Sequence, residues 1–294
     1  MNILLTGGTG FIGTPLVAGL ASSGHRIKVL SRQKLPSTDS VSYIGSLGEI
    51  LNSDSIEAII NLAGASLAAR RWTRAYKEEI FSSRLDTTRD LLALISRLEH
   101  PPAVLLSASA IGVYGHHGDE ILDEDGQQFT GFAQSLCSHW EALALEAQDA
   151  GVRVCLLRLG VVLDEGGGAF SEMARPFRLG IANWMGSGDQ WLSWVHREDV
   201  LSAIEFLLEN SSLSGPFNIT APQPVTSRGF CDAMKLRRRT LLTAPVPGVV
   251  MRMLVGEMAD ELLLNGQRVV PAALQSAGFK FSYDTLDRAL EAIF

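Results

Sequence analysis

Three groups of residues have types and spacings that could do chemistry. The first is GGTGFIG, residues 7–13, which follows an apolar run and precedes an amphipathic one. In that position Gly7 permits a tight turn, Gly10 lets the backbone approach a diphosphate, and Gly13 lets helix and strand pack closely. Thr9, Phe11 and Ile12 then line the helix start, whose unpaired amides and dipole attract phosphate oxygens. The second group lies about 20 residues on, where an acid would grip an adenosine ribose hydroxyl. This chain reads VLSRQ there. Ser31 and Arg32 supply a hydroxyl and a guanidinium and no carboxylate, a set that suits a 2′-phosphate and favours NADP(H) over NAD(H). A solvated loop cation is the plain alternative for Arg32.

The third group surrounds the apolar run AVLLSAS, residues 103–109. Ser107 and Ser109 end that run, and Tyr114 in IGVYG follows it, so a phenol near Ser109 is a candidate acid; a structural YG turn is the competing reading. Cys137 in FAQSLCSHWE is a candidate nucleophile only if a cation or a helix start lowers its pKa. His139 cannot serve as its base, because helical positions i and i+2 point about 200° apart, and a packed, inert thiol is the better reading. Cys155 and Cys231 lie in apolar patterns and read as core. His116 and His117, with Asp119, Glu120, Asp123, Glu124 and Asp125, have no helical ligand spacing, so no metal site is expected. Arg237 to Arg239 end an apparent helix and read as a solvated cap. His196, in SWVHREDV, is expected to be structural and close to the site, with Asp199 in the first turn of the following helix.

The elements that must position these residues are legible as alternation. Apolar runs at 3–6, 26–31, 58–63, 103–109 and 152–159 alternate with amphipathic stretches, the signature of a parallel, doubly wound sheet. A helix over 15–23 stops at Gly24, and one over 71–98 stops before Pro101 and Pro102. After Leu163 the sequence becomes Gly-rich, aromatic and irregular, as loops lining a site are. Helical patterning returns over 198–210. These signals predict an α/β fold: a Rossmann-type sheet of about seven strands built from 1–163 and 195–221, and a smaller, mostly helical C-terminal lobe built from 164–194 and 222–294. Phe170, Trp184, Trp191 and Trp194 either line a pocket between the two or pack the lobe.

Composition narrows the class. The 294 residues carry a net charge of −7, which supplies no basic footprint for nucleic acid. No uncharged stretch is long enough to span a membrane, and the sequence opens directly on MNILLTGG without a leader pattern. Three widely spaced cysteines make no disulfide framework. A cytoplasmic location, a small-molecule substrate and no nucleic-acid or membrane partner are the expectations; an oligomer is left open.

With GGTGFIG, INLAG (60–64), SAS (107–109) and LRLGVVL (157–163) in place, the chain resembles the extended short-chain dehydrogenase/reductases. It is more narrowly similar to an atypical subgroup labelled nucleoside-diphosphate-sugar epimerases, through RRW (70–72), SRLDTT (83–88), PFRLG (176–180), GSGDQWLSWVH (186–196) and GEMADELLLNGQRVVP (256–271). The subgroup usually continues with glycines where this chain has ANW (182–184). The resemblance implies that Leu62, Ala63, Gly64 and Val161 border the cofactor and that Glu79 and Arg84 face its ribose and nicotinamide end. Arg84 stands where the wider family has an Asn that completes a proton relay. The resemblance also implies a Ser, matched by Ser109 or Ser107, working with a Tyr-x-x-x-Lys helix. In one register Ala133 and Cys137 hold the Tyr and Lys places; in another Phe132 and Leu136 do. An alanine relays no proton and a thiol is no permanent cation. The expected function is therefore an NADP(H)-binding oxidoreductase or epimerase-like enzyme without the standard dyad, with a non-catalytic NADP-binding regulator, of a type linked to cell division, as its rival.

Overall fold

The computed structural model describes residues 1–294, the whole sequence. Seven parallel strands form one sheet: β1 (Asn2–Thr6), β2 (Arg26–Leu30), β3 (Val41–Ile44), β4 (Ala58–Asn61), β5 (Val104–Ala110), β6 (Arg153–Leu159) and β7 (Gly215–Ile219), in the order β7-β6-β5-β4-β1-β2-β3. Parallel central strands are buried on both faces, which is why NILLT, AIIN and VLLSASA carry near-continuous apolar or small residues instead of strict alternation. Period two persists in the sorting of side chains. Ile3, Leu5, Ile60 and Leu106 join the core on one face, whereas Leu4, Ile59 and Leu105 join the other.

Helices cover both faces. α1 (Gly13–Ser22) and α5 (Arg197–Glu209) pack on the first; α2 (Arg74–Arg97) and α3 (Phe132–Leu145) pack on the second. The side chain of Thr73 caps α2 by accepting from the Tyr76 amide, so the helix begins three residues later than periodicity alone predicts. The edge strands β3 and β7 fall outside the five apolar runs read from sequence. VSYI is half polar and GPFNI opens with Gly-Pro, residues tolerated at a sheet edge because no inner ladder needs their amides.

The lobe has its own core. α4 (Gly168–Arg178), α6 (Ser227–Arg237) and α9 (Leu286–Ile293) bury Phe170, Phe177, Trp194, Phe230, Met234 and Leu290. A parallel ribbon joins Ile181–Met185 to Leu242–Val246, so the lobe mixes strand with helix. The expected lobe boundary at 222–294 does not hold throughout: Leu274, on the short α8 (Ala272–Ser276), and Phe279 sit in the sheet domain's core. Short α7 (Gly248–Val255) buries none of its residues. No helix is long and apolar enough to cross a membrane.

Candidate functional site

The strand register brings one set of loops together. Thr6 pairs with both Leu30 and Asn61, Asn61 pairs with Ser107, and Ser109 with Arg158. Gly7, Ser31, Leu62 and Ala110 therefore emerge along one edge, with the strand order reversing between β1 and β4, where open α/β sheets hold ligands.

The glycine turn at that reversal has no room for a side chain at Gly7 or Gly13. Gly7 has φ +71°, and a Cβ there would sit 2.6 Å from the Leu62 carbonyl oxygen. A Cβ on Gly13 would meet the Gly7 carbonyl oxygen at 2.1 Å. Gly10 donates to that same carbonyl at 3.0 Å, while the amides of Thr9, Phe11 and Ile12 find no backbone or side-chain acceptor. Outward amides at the start of α1 fit a diphosphate. Phe11 packs against Gly167 and Gly168, and the Arg197 guanidinium lies 4.8 Å from its ring. Arg197 in turn pairs with Asp164 at 2.5 Å, fastening the Gly-rich segment over the turn. At the end of β2, Ser31 accepts from the Gln33 amide at 3.0 Å, and exposed Arg32 has no ion-pair partner. The donor set on this side fits a 2′-phosphorylated adenosine.

The other half of the edge lies over β4 and β5. A buried chain, Thr6 Oγ1 to Asn61 Oδ1 at 2.6 Å and Asn61 Nδ2 to Thr88 Oγ1 at 3.0 Å, ties β1, β4 and α2 behind it. Trp140 Nε1 donates to the same Thr88 oxygen, adding α3. Ala63 donates to Thr6 Oγ1 and Gly64 faces Arg84. The Arg84 guanidinium donates to the carbonyls of Ile80 and Ala65 at 3.0 and 3.1 Å, and lies 5.3 Å from the Trp140 ring. Burial lowers its pKa, yet arginine starts so high that it stays charged. Glu79 is exposed and reaches Arg70 at 3.6 Å. Val161 is engaged in a parallel pairing with Trp194.

The catalytic candidates are close together but committed to one another's support. Ser109 donates to Glu141 at 2.6 Å; both Glu141 oxygens accept from Arg158 at 2.9 Å. Arg158 also donates to the Tyr114 hydroxyl at 2.9 Å, and that hydroxyl donates to Asn218 at 2.7 Å. Tyr114 is fully buried, and burial pushes its pKa up to about 12. Burial and these partners favour the structural reading of the YG turn over the candidate acid: Tyr114 is a buried post between β5 and β7. Cys137 packs with Ile111, Val113 and Leu122, and burial together with the neighbouring Glu141 raises its thiol to about 11, so no thiolate nucleophile forms at neutral pH. Ser107, by contrast, keeps a buried hydroxyl without a protein partner.

Of the four aromatic candidates, Phe170 and Trp194 are lobe core. Trp184 and Trp191 stay half-exposed under Arg228 and Arg268. His196 caps α5 by accepting from the Glu198 amide at 3.2 Å, and burial lowers its pKa. Asp199 accepts the amides of Ser282 and Tyr283, fixing the tail to α5. His117 bonds to Glu120 and to the Tyr114 carbonyl, and no three potential ligands come together as a metal site. Sequence reading missed Arg158 and Asn218, and weighed Glu124 only as a metal ligand, whereas its carboxylate accepts from the amides of Asn218 and Ala273. Arg158, the second arginine of VRVCLLRL, was the available signal, because a charge well inside a two-face-buried strand requires a partner.

A seven-strand parallel sheet, a glycine turn at its order reversal and a lobe placed after the sixth strand define an atypical extended short-chain dehydrogenase/reductase with an NAD(P)-type Rossmann fold. The chain belongs to the NAD dependent epimerase/dehydratase family, whose model matches residues 3–220. A second model, a domain of unknown function (DUF1731), matches 246–293. Among curated relatives, epimerase family protein Mb2239 of Mycobacterium bovis is 36% identical over 290 residues, covering 98% of this chain and 96% of that one. YfhF of Bacillus subtilis is 35% identical over 299 residues, covering 100% and 98%. The human epimerase family protein SDR39U1 (isoform 2), crystallised with NADPH, superposes with a TM-score of 0.88 at 33% identity, covering 100% of this chain and 99% of that one.

Proposed function

We propose that the chain binds NADPH in preference to NADH along the C-terminal edge of its sheet and acts on a small, sugar-like or nucleotide-linked molecule as an oxidoreductase or epimerase-like enzyme. The observation that carries this reading is the turn at 7–13, closed to a Cβ at Gly7 and Gly13 and lined by unpartnered amides, with an unpaired Arg32 at the adjacent strand end. The human relative crystallised with NADPH supports the same choice. When bound, the nicotinamide supplies hydride chemistry. Gly7, Gly10 and Gly13 hold the diphosphate, Ser31 and Arg32 read the 2′-phosphate, and Leu62 to Gly64 border the nicotinamide half. Ser107 is the β5 hydroxyl that has no protein partner, buried at the strand's end, since Ser109 is spent on Glu141.

A non-catalytic, NADP-responsive protein is the second reading. It is favoured by the internal commitment of Ser109 and Tyr114 and by the neutral Cys137. Calorimetry with NADPH and NADH on wild type and Arg32→Ala tests the binding claim: NADPH should bind tighter, and the variant should lose at least about tenfold in NADPH affinity, the order of one charge-assisted contact, with NADH unchanged. A screen of carbonyl compounds and nucleotide sugars at saturating NADPH then separates the readings. Turnover supports the enzyme; tight binding with no turnover on any class supports the responsive protein.

A further inference from the structure

Arg84 brings a charge to the site without a counter-charge. No carboxylate pairs with it; its hydrogen bonds go to the neutral carbonyls of Ile80 and Ala65, and Glu141 is taken by Arg158. The guanidinium packs so closely on the chain after β4 that a Cβ on Gly64 would lie 2.8 Å from its central carbon. Topology says which half of a dinucleotide this is. The diphosphate lies at the β1 turn and the adenosine ribose at the end of β2, so the region beyond β4 belongs to the nicotinamide half. Cys137, on α3, is the group whose charge is most coupled to Arg84, and its thiol is neutral. Of the two registers the family resemblance allows, one puts the lysine at Cys137 and the other at Leu136, and neither leaves a cation on α3. Here α2 supplies a cation that α3 lacks. Tyr76, the phenol next in its influence on Arg84, is buried and donates to the Ser66 carbonyl, so it is no relay for that cation to acidify.

We infer that Arg84 selects the redox state of the cofactor. A fixed positive charge opposes the pyridinium ring of the oxidised dinucleotide and is indifferent to the neutral reduced ring, so the chain holds NADPH more tightly than NADP+. This inference rests on the NADP(H) binding proposed above and adds to it a preference that the glycine turn and Arg32 cannot produce, since both touch parts common to the two forms.

The test is the ratio of dissociation constants for NADP+ and NADPH, measured by calorimetry on the full chain. Wild type should favour NADPH by at least roughly tenfold, the order expected for two unit charges in a partly dry site. Arg84→Met should bring the ratio close to one, while Arg84→Lys should keep most of it. Loss of a shared phosphate contact would weaken both forms and leave the ratio unchanged, which is why the ratio is the readout. If Arg84→Met fails to fold, Arg84→Gln, which retains donors for the Ile80 and Ala65 carbonyls, reads the same quantity. Equal binding of the two forms by wild type, or a ratio unaltered in the folded Arg84→Met or Arg84→Gln protein, overturns the inference while the proposed cofactor stands. Failure of wild type to bind either form overturns the proposed function itself.

Discussion

Replacing Glu141 by glutamine probes whether the buried polar cluster is a structural keystone. The carboxylate receives Arg158 through two hydrogen bonds of 2.9 Å and Ser109 through one of 2.6 Å, and the paired side chains are only 8% and 6% exposed. Glutamine keeps one acceptor but turns an N–H toward an Arg158 N–H and leaves the guanidinium unneutralised in the interior. Breaking such a pair from one side costs about 3–5 kcal/mol. At about 2.1 cal/mol/K of unfolding entropy per residue, a chain of 294 residues has about 0.6 kcal/mol/K, so Tm should fall by about 5–8 °C. Thermal unfolding followed by circular dichroism measures it. Arg158→Met should cost a similar amount, and the double variant Glu141→Gln/Arg158→Met should be well short of the sum, because both charges leave together. A Tm within about 1 °C of wild type for Glu141→Gln, or strict additivity in the double variant, refutes the argument that mutual neutralisation holds this cluster in place.

Three further outcomes are expected. Gly13→Ala drives a Cβ against a backbone carbonyl 2.1 Å away, which forces the turn open; NADPH affinity by calorimetry should drop at least about tenfold even where the far-ultraviolet spectrum is unchanged. Tyr114→Phe strands Asn218 Oδ1 and an Arg158 N–H, so stability should fall by about 1–3 kcal/mol in urea unfolding with NADPH affinity unaltered; a variant of full stability whose turnover on a screened substrate falls a hundredfold would put the phenol back in the chemistry. His196 has a pKa lowered by burial and uses an unprotonated nitrogen to cap α5. The unfolded chain therefore takes up a proton first, near pH 6.5, and stability should decline as pH falls below that value until the lowered native pKa is reached. His196→Asn, which still caps but does not titrate there, should flatten that part of a Tm-against-pH curve from pH 8 to 5.

Local rules carried the reading of fold and cofactor turn far, because both are written in neighbouring residues. Glycine spacing, the strand before it and the helix after it are all within GGTGFIG and its flanks, and the structure repeats that logic in the contacts of Gly7 and Gly13. The same holds for the inner strands, whose two-face burial leaves apolar runs. It fails where a property depends on what folds over it. The tail at 272–281 looked like lobe because its short helices are broken by proline and glycine, yet Leu274 and Phe279 complete the sheet domain's core.

Side-chain commitments are the deepest non-local layer. Ser109, Tyr114 and Cys137 have the residue types of a reaction centre, and β5 and α3 do bring them together; what disqualifies their free use is Arg158 and Glu141, one on β6 and one a turn further along α3. A buried arginine can be spotted in VRVCLLRL, but its partner is known only when α3 lies across the strand. Arg84 shows the converse case. Its position reads as the replacement of an amide, whereas packing of α2 against α3 sets its charge near the Cys137 thiol. α3 carries no lysine or arginine, and the cation of this region is instead a guanidinium on α2 held by two carbonyls and packed near an indole. What such a cation can still act on is the charge of the ring itself.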